Sequence, residues 1–164
     1  MIPPSGFQST LASLIGNIDP DQIVFVGVGN RMLGDDGIGP VLLDLLSVNV
    51  SHTVDVGVTP EEYTGVIRRL NPSVIVFLDA ADFGAEPGQM KIIMAEEVSK
   101  VRISIHKISL EILMEYLKSE TGADVFIIGI QPAEISHSST LSPPASQGVQ
   151  ECAEVITSLL NKEK

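Results

Sequence analysis

At 164 residues, 44% hydrophobic and 19% charged, the chain has the size and composition of one globular domain, and with no Trp, five Phe and two Tyr its core must be aliphatic. Twenty-one acidic against ten basic residues give a formal charge of −11, which opposes binding to nucleic-acid phosphate or to an anionic membrane surface. The single cysteine, Cys152, excludes an intramolecular disulfide and a paired-thiolate zinc site, so any metal must use oxygen and imidazole donors.

Residues 1–21 read as a leading helical extension, with Phe7, Leu11 and Leu14 at helical spacing, and residues 22–161 as the α/β core of a single domain covering 1–164. Its start, Met1-Ile2-Pro3-Pro4, lacks the basic-then-apolar pattern of a signal peptide, and no apolar run is long enough to span a bilayer, so a cytoplasmic protein is expected. It is expected to be a monomer. Within the core, short β-branched runs alternate with helical patterns. Strands are predicted at 23–28, 53–58 and 74–78, with helices at 38–48 and 61–70 between them. A strand at 90–94 precedes a helix at about 107–118, and a strand at 125–130 with a helix at about 145–161 completes the set. Strands apolar at nearly every position, alternating with helices, predict an α/β three-layer sandwich: a mostly parallel, twisted sheet with helices on both faces. In open sheets of this kind strands one and three become neighbours, and ligands bind in the crevice beyond their carboxyl ends. The loops leaving those strands, 29–39 and 79–84, are both rich in aspartate.

Residues 27–40, Gly-Val-Gly-Asn-Arg-Met-Leu-Gly-Asp-Asp-Gly-Ile-Gly-Pro, pack five glycines and two adjacent acids between a strand and a helix. A dinucleotide-binding turn needs a glycine where Met32 stands, and Asp35 and Asp36 would repel a pyrophosphate, which weakens the alternative of a nucleotide- or phosphate-binding module. On spacing alone either acid equally suits a cap for the helix that Pro40 helps initiate, and Asp35 is assigned that role. Asp79 follows the apolar run 74–78, where strand three should open into the crevice; Asp82 is read as a turn former. His106 precedes a helix whose Ile108, Ile112, Leu113, Tyr116 and Leu117 share one apolar face, and a helix start disfavours protonation of its imidazole. His137 lies in a polar loop, and Cys152 falls on the apolar face of the last helix, packed and inert.

Taken together, Gly27-Val28-Gly29-Asn30 followed by Gly34-Asp35-Asp36-Gly37-Ile38-Gly39-Pro40, then Asp79 after an apolar strand, then His106 before a helix, resemble the pattern of the hydrogenase maturation endopeptidases. Gly129-Ile130 running into Gln131-Pro132-Ala133-Glu134 is similar to the family's late strand and loop, in the manner of its formate-hydrogenlyase (hydrogenase 3) branch, and the resemblance covers about residues 22–160. It implies that Asp36, Asp79 and His106 coordinate nickel, with Asp36 and Asp79 also the catalytic carboxylates. It further implies a substrate, the [NiFe] hydrogenase large-subunit precursor, from which a short carboxyl-terminal peptide is removed once nickel is inserted. Two carboxylates and a neutral imidazole suit a borderline divalent ion and leave positions open, so a polarised carbonyl or an activated water would each give hydrolysis. An aspartic-type reaction would instead give the carboxylates acid/base work. With no thiolate in the set, the nickel is expected to arrive with the substrate. A non-catalytic hydrogenase assembly factor carrying the same motifs is the remaining alternative.

Overall fold

The computed structural model of the protein describes residues 5–103 and 109–161. Helix α1 (Ser5–Ile15) sets Phe7, Leu11 and Ile15 on one buried stripe, with Leu14 partly buried beside it, so the leading extension is helical and Ile15 is its most buried late position. Then follow β1 (Ile23–Val28), α2 (Ile38–Leu46), β2 (His52–Gly57), α3 (Thr64–Arg69), β3 (Val74–Asp82), β4 (Met90–Ile93) and β5 (Arg102–Ile103). Helix α4 (Leu110–Thr121), β6 (Asp124–Ile130) and α5 (Pro143–Leu160) complete the described elements.

The sheet runs in the order β2-β1-β3-β6-β4. Strand β1 pairs in parallel with both β2 and β3, and β3 in parallel with β6, while β4 returns antiparallel beside β6. Strands one and three are thus neighbours, as expected, with Ile23 opposite Val74 and Gly27 opposite Leu78. Every residue of β1, and every residue of β3 except Asp82, is buried, which is why these segments read as continuous apolar runs. Alternate residues feed two cores. Ile23, Phe25, Val76 and Leu78 pack with α1, α2 and α5 on one face, and Val24, Val26, Ile75 and Phe77 pack with α3 and α4 on the other. The three-layer sandwich follows from this division.

Three local features depart from the sequence reading. The helix expected from residue 61 opens as a 3₁₀ turn, Pro60–Tyr63, before α3 begins. Helix α4 starts at Leu110, where Ser109 Oγ accepts from Glu111 N at 3.2 Å, so its buried face is Leu110, Leu113, Met114 and Leu117; Ile112 and Tyr116 are exposed. The two-residue strand β5, antiparallel to Ala81 and Asp82, carried no periodic signal at all. Among the described residues no helix is long and apolar enough to cross a membrane.

Candidate active site

Between β1 and α2 the chain crosses the carboxyl end of the sheet in a 3₁₀ turn, Gly34–Gly37, that packs against β3. Two glycines allow this approach. Gly29 has φ +140°, and a Cβ there would overlap the Asp36 carbonyl; a Cβ on Gly39 would overlap the carbonyls of Val28 and Leu78. The turn therefore rests on the ends of β1 and β3. Asp36, 5% exposed, is held by the amide of Asn30, which donates to its Oδ2 at 2.8 Å.

Asp79 is fully buried and pairs with Gly129 of β6. It does not end its strand: β3 continues to Asp82 because β6 pairs as far as Ala80 and β5 takes over at Ala81. On the other side β1 pairs only as far as Leu78, so the sheet opens beside Asp79 at the level where the Asp36 turn sits. Strand alternation puts Asp79 on the same face as Phe77 and Ala81, the face covered by α4. Asp36 and Asp79 are thus brought to one end of the β1–β3 pair. His106, the third predicted residue, lies outside the described residues. Among the described residues no three His, Cys, Asp or Glu side chains gather as a metal site.

A cavity of about 480 Å³ opens at this end of the sheet. Leu33, Val58, Ala80, Ile103 and Ile135 give it apolar walls, and Asp36, Asp82, Arg102 and Gln131 give it polar points. A hydrophobic slot with a few convergent polar groups is the usual form of a substrate site. Asp82 is a turn former, as expected, since its Oδ1 accepts from Gly84 N at 3.1 Å; it also accepts from Gln131 Nε2 at 3.1 Å. The Gln131 amide, then the Gly84 N–H and the nearby Arg102 charge, hold the Asp82 carboxyl below the usual aspartate range.

Asp35 is structural but is not a helix cap: neither the 3₁₀ turn nor α2 has a side-chain cap. Fully buried, its carboxylate instead accepts from Ala133 N, Glu134 N, and the amide and hydroxyl of Ser142, at 2.7 to 3.0 Å. Arg31, unremarked in the sequence, donates to Asp44 at 2.7 Å and to Asp55 at 2.9 Å, tying the first loop to α2 and β2; these partners raise the guanidinium pKa further. Gln131 was also missed as an anchor, although a polar residue directly after the apolar run of β6 occupies the crevice end of its strand. His137 is an exposed loop residue. Cys152 is fully buried on α5, and burial pushes its thiol up to about 12, so it is packed and unreactive as expected.

Comparison with known proteins specifies the class to which this fold belongs. The HycI family model, hydrogenase maturation protease, matches residues 46–159, a span that contains Asp79 and His106 and begins beyond Asp36. The Escherichia coli K12 hydrogenase 3 maturation protease is 31% identical over 131 residues, 77% of this chain and 83% of that protein. A crystal structure of a [NiFe] hydrogenase maturation protease HycI from Thermococcus kodakarensis KOD1 is similar with a TM-score of 0.83 and 29% identity, covering 93% of this chain and 99% of that one. The Escherichia coli endopeptidase HybD has the same fold, with a TM-score of 0.71 over 87% of this chain and 93% of its own. The chain belongs to the hydrogenase maturation protease family. It is a peptidase of that family, which removes the nucleotide-binding module from consideration.

Proposed function

We propose that this protein is the endopeptidase that removes the carboxyl-terminal peptide from a nickel-loaded [NiFe] hydrogenase large-subunit precursor, in the manner of the hydrogenase 3 enzymes. The observation that carries this reading is the buried Asp36, fixed by Asn30 and lining a cavity at the β1–β3 opening, with the buried Asp79 at the same end of β3. Asp36, Asp79 and His106 are the proposed donors to nickel, and the set fits a borderline divalent ion that already has other ligands. Because no thiolate belongs to it, the nickel is carried in by the substrate, and cleavage acts as a checkpoint on nickel insertion. The apolar walls would seat the peptide, and Asp36 and Asp79 would either help hold a metal that polarises the scissile carbonyl or take a proton from the attacking water and return it to the leaving amide nitrogen, which gives metal-assisted or aspartic-type hydrolysis. The protein is proposed to work as a cytoplasmic monomer.

The test mixes purified protein with nickel-loaded and nickel-free precursor and follows intact mass. Loss of the carboxyl-terminal peptide from the loaded form only, abolished by Asp36→Ala and by His106→Ala, is the expected result. Equal cutting of the nickel-free form would overturn the checkpoint, undiminished cutting by both variants would overturn the site, and binding without cutting would leave a non-catalytic assembly factor.

A further inference from the structure

Residues 131–142, which join β6 to α5 and supply Gln131 to Ile135 to the cavity wall, form a twelve-residue connection with no helix or regular strand. A connection of that length needs anchoring to keep one conformation. Its anchors converge on the first loop. Gly34 N donates to Ser138 O at 2.8 Å, Asp35 N to Glu134 O at 3.0 Å, and Ser138 N to Met32 O at 3.2 Å. The Asp35 side chain then takes Ala133 N and Glu134 N on Oδ2, at 2.8 and 3.0 Å, and Ser142 N on Oδ1 at 2.7 Å. Ser142 Oγ donates to Asp35 Oδ2 at 2.7 Å and itself accepts from Ala145 N, so the residue that caps α5 is also locked to the turn.

We infer that Asp35 is a positioning residue, which clamps the cavity wall at 131–135 and the start of α5 to the 3₁₀ turn and so fixes where its neighbour Asp36 points. A carboxylate suits this place because all four partners are donors and only an acceptor-only group satisfies them together. Asn at this position keeps one oxygen but sets an NH₂ group against at least one N–H. The turn would then be released from the wall. The first consequence is at the Asn30 N–H to Asp36 Oδ2 bond, which depends on the placement of Asp36.

The test has one readout that is independent of activity and one that rests on the proposed peptidase function. Hydrogen exchange of the Asn30 amide, followed by NMR, is compared in wild type, Asp35→Asn, Ser142→Ala, Ser142→Thr and Val149→Ala; the last truncates a buried α5 side chain that makes none of these hydrogen bonds and serves as a control for lost core packing. Exchange should quicken roughly tenfold or more in Asp35→Asn, and by a smaller factor in Ser142→Ala, as expected for losing a bond to a charged group. Ser142→Thr, which keeps the hydroxyl, and Val149→Ala should remain near wild type. On nickel-loaded precursor, kcat should fall in the same order, at temperatures below every variant's Tm. If Asp35→Asn fails to fold, the Ser142 pair alone decides. An unchanged Asn30 amide in Ser142→Ala, or equal quickening in Val149→Ala, would overturn the clamp. A wild type that cuts no precursor would instead overturn the peptidase reading and leave the exchange result standing.

Discussion

The carboxamide of Gln131 binds Asp82 with one end and the turn after Asp82 with the other: Nε2 donates to Asp82 Oδ1 at 3.1 Å, while Oε1 accepts from Phe83 N at 2.9 Å and Ala85 N at 3.1 Å. One buried side chain from the end of β6 thereby shapes the way out of β3. Gln131→Ala leaves two amides without their acceptor, and the expected loss is about 1–3 kcal/mol in chemical denaturation. Gln131→Glu keeps the acceptor but sets a second carboxylate against Asp82, so its deficit should shrink on acidification; a deficit independent of pH would refute this role.

Asp82 itself gives a pH signature. Its carboxyl is depressed in the folded protein, so its contribution is fully present above the ordinary aspartate value and is lost as pH falls through the depressed one. The Tm difference between wild type and Asp82→Asn should therefore be widest near about pH 7 and close by about pH 2. A gap of constant size across that range would show that the charge is not what Gln131 and Gly84 respond to.

Cys152→Ala should leave precursor cleavage at the wild-type rate and cost about 1 kcal/mol through a small cavity in the α5 core. Cys152→Ser should be worse for stability, by roughly 1–3 kcal/mol, because a hydroxyl without a partner is buried in its place. A thiol reagent should label the native protein only at the rate of unfolding. Loss of cleavage in a folded Cys152→Ala variant would demand a thiol step.

Metal removal should matter to the substrate and not to the protease. After dialysis against a chelator, the isolated protein is expected to keep its Tm and to contain far less than one nickel per chain by elemental analysis, since the proposed donors, two carboxylates and one imidazole without a thiolate, would make a weak nickel site. Tight stoichiometric nickel in the isolated protein would contradict a metal supplied by the precursor.

Gly39→Ala should be among the most damaging single-methyl additions, because the new Cβ would collide with two main-chain carbonyls, Val28 and Leu78, that cannot step aside without breaking the β1–β3 opening. We expect a loss above about 4 kcal/mol, read as insoluble expression or a collapsed Tm. Gly6→Ala, which meets nothing nearby, is the control.

What was legible in the sequence is what repeats along it. Continuous apolar runs revealed β1, β3 and β6 because both faces of those strands are covered, and the pairing of β1 with β3 followed from the crossover rule. Asp79 follows such a run and Asp36 lies in a glycine-rich loop, but neither was decisive on spacing alone; the resemblance to the family's pattern singled them out together. The role of Asp35 was misread because its partners lie 98 to 107 positions later, beyond the reach of any local pattern. For the same reason Gln131 and Arg31 gave no sign of what they join. Strand β5, two residues long, exists only because β3 overruns its neighbours.

The stripe of Phe7, Leu11 and Ile15 has a bearing on how the chain is made. Helix α1 packs on β4 and on α5, and α5 follows it in the chain only after the whole sheet. An apolar surface made before the sheet is therefore covered in full only after the sheet is made. Eleven residues are too few to hold a helix unaided, so α1 should be unstructured and open to chaperones until α5 arrives.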